Sequence, residues 1–224
     1  MINFAAMNDV PDKVDKKDLL LDVAERLFSE LGYDGTSTRL IAREADVNMA
    51  MLNYYFGSKD GLYKAVLTRR LGSFRQNLAS LNEESISSWE KIDRCVEMYV
   101  ERVMGNNSFH RLIHREMSLQ QRSETSDFIA DTLLKNVGEV KRIIEEGIQN
   151  GSFRKVDVEM TVATILGTKL FLVNSSMISS RMMGVDMTDP QVLVEEIKPR
   201  LKAHLKDFLH AHLTCHDKQD SSIH

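Results

Sequence analysis

Proline is nearly missing from this chain, with three in 224 residues, and cysteine is scarcer still, with two. Few helix breakers, together with recurrent Leu, Met, Lys, Glu and Ala, favour an all-α fold over a sheet. Cys95 and Cys215 are too few for a disulfide scaffold and fit free thiols in a reducing compartment. Long hydrophobic runs are absent too. The longest, near 162–173, is broken by Lys169 and is too short to span a bilayer. Residues 1–17 hold no apolar stretch, because Asp9, Asp12 and Asp15 interrupt them, so they do not read as a signal peptide. The expectation is a cytoplasmic protein with no membrane partner. No phosphate-binding loop, nucleophile motif or catalytic pair occurs, so no catalytic residue, no enzymatic activity and no cofactor is expected. His110 and His114 stand four apart and could share a metal, but no third ligand follows at fixed spacing, so no metal site is expected.

What is present is a hydrophobic fraction of 42%, enough for a real core, and an uneven charge. The whole chain carries −4. Residues 36–75 oppose seven basic side chains (Arg39, Arg43, Lys59, Lys64, Arg69, Arg70, Arg75) to three acidic ones (Glu44, Asp46, Asp60), a net +4. Residues 76–224 are net −4. A basic head on an acidic body suits a protein that offers one end to phosphates.

Apolar spacing of three and four (Leu20, Val23, Ala24, Leu27, Phe28, Leu31) predicts a first helix ended by Gly32. Thr36 or Ser37 can cap a short second helix carrying Leu40, Ile41 and Ala45 inward. After a break at 46–48 a third short helix runs to about Tyr55, and Ser58 can cap a long fourth toward Leu78. Two short helices joined by a tight turn between longer ones read as a helix-turn-helix package. Further helices are predicted over about 88–104, around 109–117, around 128–148, from a cap at Asp157 toward Met182, and from Asp189-Pro190 to about Leu213. Pro199 should kink or restart the last one.

The stretch 32–67, GYDGTSTRLIAREADVNMAMLNYYFGSKDGLYKAVL, resembles the DNA-binding domain of the tetracycline-repressor (TetR) family. The matching features are the Gly-aromatic pair after helix 1, the Thr-Ser entry to helix 2, and Ile41-Ala42 with Ala45. Val47 at the turn, the aromatics Tyr54, Tyr55 and Phe56, and Ser58-Lys59 complete the match. A weaker echo, Glu146-Gly147-Ile148 through Gly151-Ser152-Phe153-Arg154 to Asp157, resembles the family's turn between its seventh and eighth helices. The resemblance implies an all-α chain of about nine helices. Residues 1–15 would be a flexible tail, 16–62 a helix-turn-helix domain, 63–214 a ligand-binding and dimerisation domain, and 215–224 a polar tail. It implies a transcriptional regulator, most simply a repressor, whose partners are double-stranded operator DNA, a second copy of itself and a small-molecule inducer. The alternative is a DNA-binding regulator controlled by a protein partner, with no inducer.

For DNA contact the residues support the resemblance. Asn48, Met49, Ala50 and Asn53 are small or adaptable enough to enter a major groove, and Asn53 can pair with adenine. Arg39 lies where the family often places a guanine-reading arginine. Thr36, Ser37 and Thr38 can donate hydroxyls to phosphate, Tyr54 and Tyr55 resemble the family's phosphate-contacting aromatics, and Lys59 sits at a helix N-terminus. One of the two tyrosines can equally be core. For the body, Leu193, Leu201, Leu205, Phe208 and Leu209 offer an apolar face that either dimerises or packs within one subunit. Methionines at 98, 104, 117, 160, 177, 182 and 183 suggest a pliable wall for an apolar ligand, or ordinary core. Met98, Arg102, Phe109, Ile113, Met117, Phe171 and Asn174 are the candidate ligand residues, and Glu101, Arg115, Glu116 and Lys169 are further polar groups near apolar faces.

Overall fold

The computed structural model describes residues 12–105, 107–119 and 123–215. The tails expected at 1–15 and 215–224 therefore lie mostly outside the described residues. Among those residues every regular element is helical: α1 (Asp12–Gly35), α2 (Thr38–Glu44), α3 (Met49–Phe56), α4 (Lys59–Glu83), α5 (Ser88–Gly105), α6 (Asn107–Leu119), α7 (Ser123–Gln149), α8 (Val158–Asn174), α9 (Ser176–Met183), α10 (Pro190–Val192), a π-helical turn (Leu193–Ile197) and α11 (Lys198–Leu213). The chain divides within α4 into two compact units, residues 1–70 and 71–224.

The first unit is built on a small aromatic and aliphatic core. Leu20, Ala24, Leu27 and Phe28 of α1 are buried with Ile41 and Ala42 of α2, Leu52 of α3, and Leu62, Tyr63, Val66 and Leu67 of α4. Phe28 meets the Tyr63 ring edge-on at 4.8 Å, and Tyr33 does so at 5.0 Å. Gly32 interrupts α1 with φ 74°, ψ 174°, a backbone that costs a residue without Cβ little. Arg69 and Arg70 of α4 pair with Asp22 and Glu25 of α1.

In the second unit α5 packs against both α7 and α11, and α7 packs against α8. Ile92, Val96 and Val100 are buried with Ile143, Ile144, Val162, Leu201, Leu205 and Leu209. The last helix departs from regularity where expected. A straight α-helix would drive the Pro199 ring against the carbonyl of residue 195, and the π turn widens the helix just ahead of it. Two expectations need correction. The apolar face Leu193, Leu201, Leu205 and Leu209 is core of its own subunit, with Phe208 packed against it, so it does not offer a dimer surface. The helix expected from Asp157 toward Met182 breaks at Ser175 (φ −112°, ψ 43°), and α8 and α9 meet at 94°. The run Asn174-Ser175-Ser176 carried that signal, since these side chains compete for backbone hydrogen bonds. Ser179 Oγ donates to Phe171 O at 3.4 Å and the Ser175 N–H donates to the same carbonyl at 3.0 Å, holding the bend. No single helix among the described residues is long and apolar enough to cross a membrane.

Two local contacts tie α5 and α7 into this unit. Lys91 is buried and its Nζ donates to Glu146 at 2.9 and 3.0 Å and to Asn82 O at 2.8 Å. Gly147 lets Phe153 lie on the helix: a Cβ there would stand 2.1 Å from the Phe153 ring. The Phe153 N–H closes the turn on Gly147 O at 2.8 Å.

Candidate nucleic-acid interface and ligand cavity

The outer surface of the first unit is shaped by three caps. Ser37 Oγ accepts from the Leu40 N–H at 3.1 Å, Asn48 Oδ1 from Met51 at 2.8 Å, and Ser58 Oγ from Gly61 at 3.0 Å. Each takes a helix-end N–H from the first turn of its helix. Between α2 and α3 the turn is a Schellman motif. Asp46 takes φ 50°, the Val47 N–H reaches Ala42 O at 2.9 Å, and the Asp46 N–H reaches Arg43 O at 3.2 Å. This short turn sets α3 against α2, with Leu52 buried and Ala50, Asn53 and Tyr54 exposed.

The sequence-predicted residues sort as follows. Arg39, Ser37, Asn48, Ala50 and Asn53 are exposed, while Thr38, Met49 and Tyr55 are half-buried. Of the two tyrosines, Tyr54 is the open one at 78% exposure, and Tyr55 lies between the Tyr54 and Phe56 rings. Among the described residues Arg39 has no ion-pair partner. Lys59 opens α4, half-buried, with Nζ 4.2 Å above the Tyr33 ring. Thr36 is a correction. It is 1% exposed, and its hydroxyl lies 3.0 Å from Leu27 O and 2.8 Å from Gly32 O. That hydroxyl satisfies backbone at the α1 kink and cannot reach phosphate.

The second unit holds a cavity of about 330 Å³ among the end of α4 and helices α5, α6, α7 and α8. Its walls are aliphatic and aromatic, with Leu71, Phe74, Ile92, Val96, Val137 and Ile165 among them. Of the ligand residues expected from the sequence it brings together Arg102, Ile113 and Met117. Met98, Phe109, Phe171 and Asn174 do not line it. On α8 the lining residues Val162, Ile165, Leu166, Lys169 and Leu170 form one stripe; Phe171 projects from the opposite side, and Asn174 closes the helix one turn past Leu170. Met98 packs into the core instead, and Phe109 is buried beside the lining stripe of α6. Methionine does not build the cavity wall. Met117 alone of the seven lines the cavity, whereas Met160, Met177 and Met182 are exposed at 62%, 68% and 60%. Glu101 is tied to Lys198 and Lys202 at the surface.

Tyr99, Asn136, His110 and His114 also line the cavity, without being among the ligand residues expected from the sequence. Their register, at three, four and seven from the other lining residues of α5, α6 and α7, was the available signal. Burial pushes the Cys95 thiol up to about 12 and raises Tyr99 as well. Burial lowers Lys169 to about 8. No group of three or more potential metal ligands occurs among the described residues.

Residues 20–66 match the family model for bacterial regulatory proteins of the tetR family, and 89–198 match the tetracyclin repressor-like C-terminal domain. A probable helix-turn-helix transcriptional regulator of Bacillus subtilis, YttP, is 30% identical over 137 residues, covering 60% of this chain and 66% of its own. The repressor NicS of Pseudomonas putida is 28% identical over 186 residues, 78% and 84% of the two chains. The crystal structure of the regulator FadR from Bacillus subtilis in complex with stearoyl-CoA superimposes with a TM-score of 0.64 at 20% identity, covering 84% of this chain and 96% of that one. At that identity the likeness concerns the fold. With a helix-turn-helix head, a helical body and both family models matched in order, the chain belongs to the tetR family of DNA-binding transcriptional regulators.

Proposed function

We propose that this regulator is a cytoplasmic homodimeric repressor, released from its operator by a small, mainly apolar molecule that enters the cavity of residues 71–224. The observation that carries the ligand half is the cavity itself: about 330 Å³, within the usual range of small-molecule sites and lined mainly by apolar side chains. A regulator answering only to a protein partner has no need of such an interior space. The DNA half rests on α3. Asn53 and Ala50 would meet base edges, Met49 would touch thymine methyls, and Arg39 would read guanine. Ser37, Thr38, Tyr54, Tyr55 and Lys59 would hold phosphates. Asn48 spends its Oδ1 on the cap, which leaves its amide N–H groups for DNA.

The dimer surface falls on the outward faces of α8 and α9. Met160, Phe171, Met177, Ile178 and Met182 are exposed there, and buried in a twofold partner they would form the apolar centre of an interface. Two α3 helices would then address successive major grooves roughly 34–36 Å apart. Ligand binding acts by differential affinity, favouring a body in which the paired heads no longer match that spacing. Helix α4, which begins at Lys59 and continues to Glu83, is the element through which we expect the change to pass.

The test begins with selection of bound duplexes from a random library, followed by titration of the selected site. Arg39→Ala and Asn53→Ala should each relax preference at particular base pairs by about 1–3 kcal/mol. Lys59→Ala should weaken all sequences alike and reduce the salt slope by about one. Selection of no sequence above background, or a monomer by sedimentation at micromolar concentration, would overturn the proposal.

A further inference from the structure

Lys169 stands out among the cavity groups. It is 7% exposed, set in the apolar stripe of α8 between Leu166 and Leu170. Among the described residues it has neither an ion-pair partner nor a hydrogen-bond acceptor. A lysine in such a position ordinarily pairs or loses its charge, because desolvating an ammonium without a counter-ion is costly.

The rest of the lining shows what kind of partner is missing. None of the twenty lining residues is an Asp or Glu. Arg102 and two imidazoles, His110 and His114, line the same cavity. Two further polar atoms, the Tyr99 hydroxyl and Asn136 Oδ1, are buried and without a hydrogen-bond partner. The phenol O–H and the ammonium both line the cavity as donors, and oxygen atoms of a bound anion are acceptors. Everything else in the wall is apolar or the inert Cys95 thiol.

We infer that the cavity takes a compact amphiphilic monocarboxylate, its carboxylate paired with Lys169 and its hydrocarbon body packed among Ile92, Val96, Val137, Val140 and Ile165. This rests on the proposal that the cavity is the inducer site, and it names the ligand class. A neutral apolar molecule would leave the lysine unpaired, and a cationic one would add a like charge. Size narrows the class. A cavity of about 330 Å³ stands at the small end of the range for small-molecule sites. That suits a carboxylic acid of medium chain length or a short arylalkanoic acid.

Calorimetric titration of the full chain with octanoate, 1-octanol and octylamine tests the inference, with DNA release measured in parallel. Octanoate should bind at least tenfold more tightly than the alcohol, and the amine most weakly. Lys169→Met should weaken octanoate tenfold or more and leave the alcohol unchanged or tighter, which abolishes the preference. Lys169→Arg, which keeps the charge, should retain the preference, so the result does not depend on one variant folding. Equal binding and equal DNA release by acid and alcohol would refute the anion assignment and leave the inducer cavity standing. Absence of binding by all three, with DNA affinity intact, would refute the inducer cavity and this inference with it.

Discussion

Lys169→Met removes a charge while keeping nearly the same length and volume, so it isolates the cost of burying the ammonium. Burial lowers this lysine from 10.5 to about 8. Below pH 8 the folded and unfolded chains both carry the charge, and the folded state bears the full desolvation cost. Between about 8 and 10.5 the unfolded chain binds more protons than the folded one, so stability rises with pH across that window. Above it both forms are neutral and the cost has gone. A lowering of about 2.5 units at 1.36 kcal/mol each corresponds to roughly 3 kcal/mol. At pH 7 the variant should therefore be more stable than its parent by roughly 3 kcal/mol, raising the midpoint of thermal unfolding by on the order of 6–12 °C. The gain should shrink toward zero by about pH 10.5. Cys95, Tyr99, Arg102, His110 and His114 share the cavity wall, but they are common to both proteins and cancel to first order. The only tryptophan, Trp89, lies in this unit against Phe153 and His210, so urea unfolding followed by its fluorescence reports the relevant transition. A variant no more stable than its parent at pH 7, or a gain that does not change with pH, would refute the reasoning.

Glu146→Gln leaves the Lys91 ammonium buried with only Asn82 O and an amide oxygen. The cost should be about 2–3 kcal/mol in urea unfolding, below that of a fully enclosed pair because Glu146 is 40% exposed, and Lys91→Met in the same chain should restore most of it. Gly147→Ala drives a Cβ to 2.1 Å from the Phe153 ring and should destabilise the second unit by about 1–3 kcal/mol, largely recovered by Phe153→Leu. Cys95, buried with its thiol raised to about 12, should resist alkylation at pH 8 in the native protein while the exposed Cys215 reacts, as mass spectrometry of the labelled chain would show.

Much of the DNA-binding head was legible in the residues because its determinants are local. Ser37, Asn48 and Ser58 cap helices by bonds three residues long, and Gly32 and Gly57 mark the chain where φ is positive. Such features involve neighbours in the sequence and need no knowledge of what packs on them. The all-helical class and the irregularity near Pro199 follow from the same short-range rules. The body obeyed a different logic. An amphipathic stripe announces that Leu201, Leu205 and Leu209 will be buried, but only the tertiary structure showed that α5 of the same subunit covers them. Composition suggested methionine for the ligand wall, and packing put Val, Leu and Ile there instead while leaving Met160, Met177 and Met182 outside. Thr36 looked like a phosphate donor until the kink at Gly32 brought two carbonyls onto its hydroxyl. Lys169 was visible as one charge in an apolar run, yet its isolation depends on helices α4 to α7, distant in sequence, that close around it without a single carboxylate. Periodicity fixes which residues share a helix face. What that face meets is set by long-range packing, whose energies no local spacing encodes.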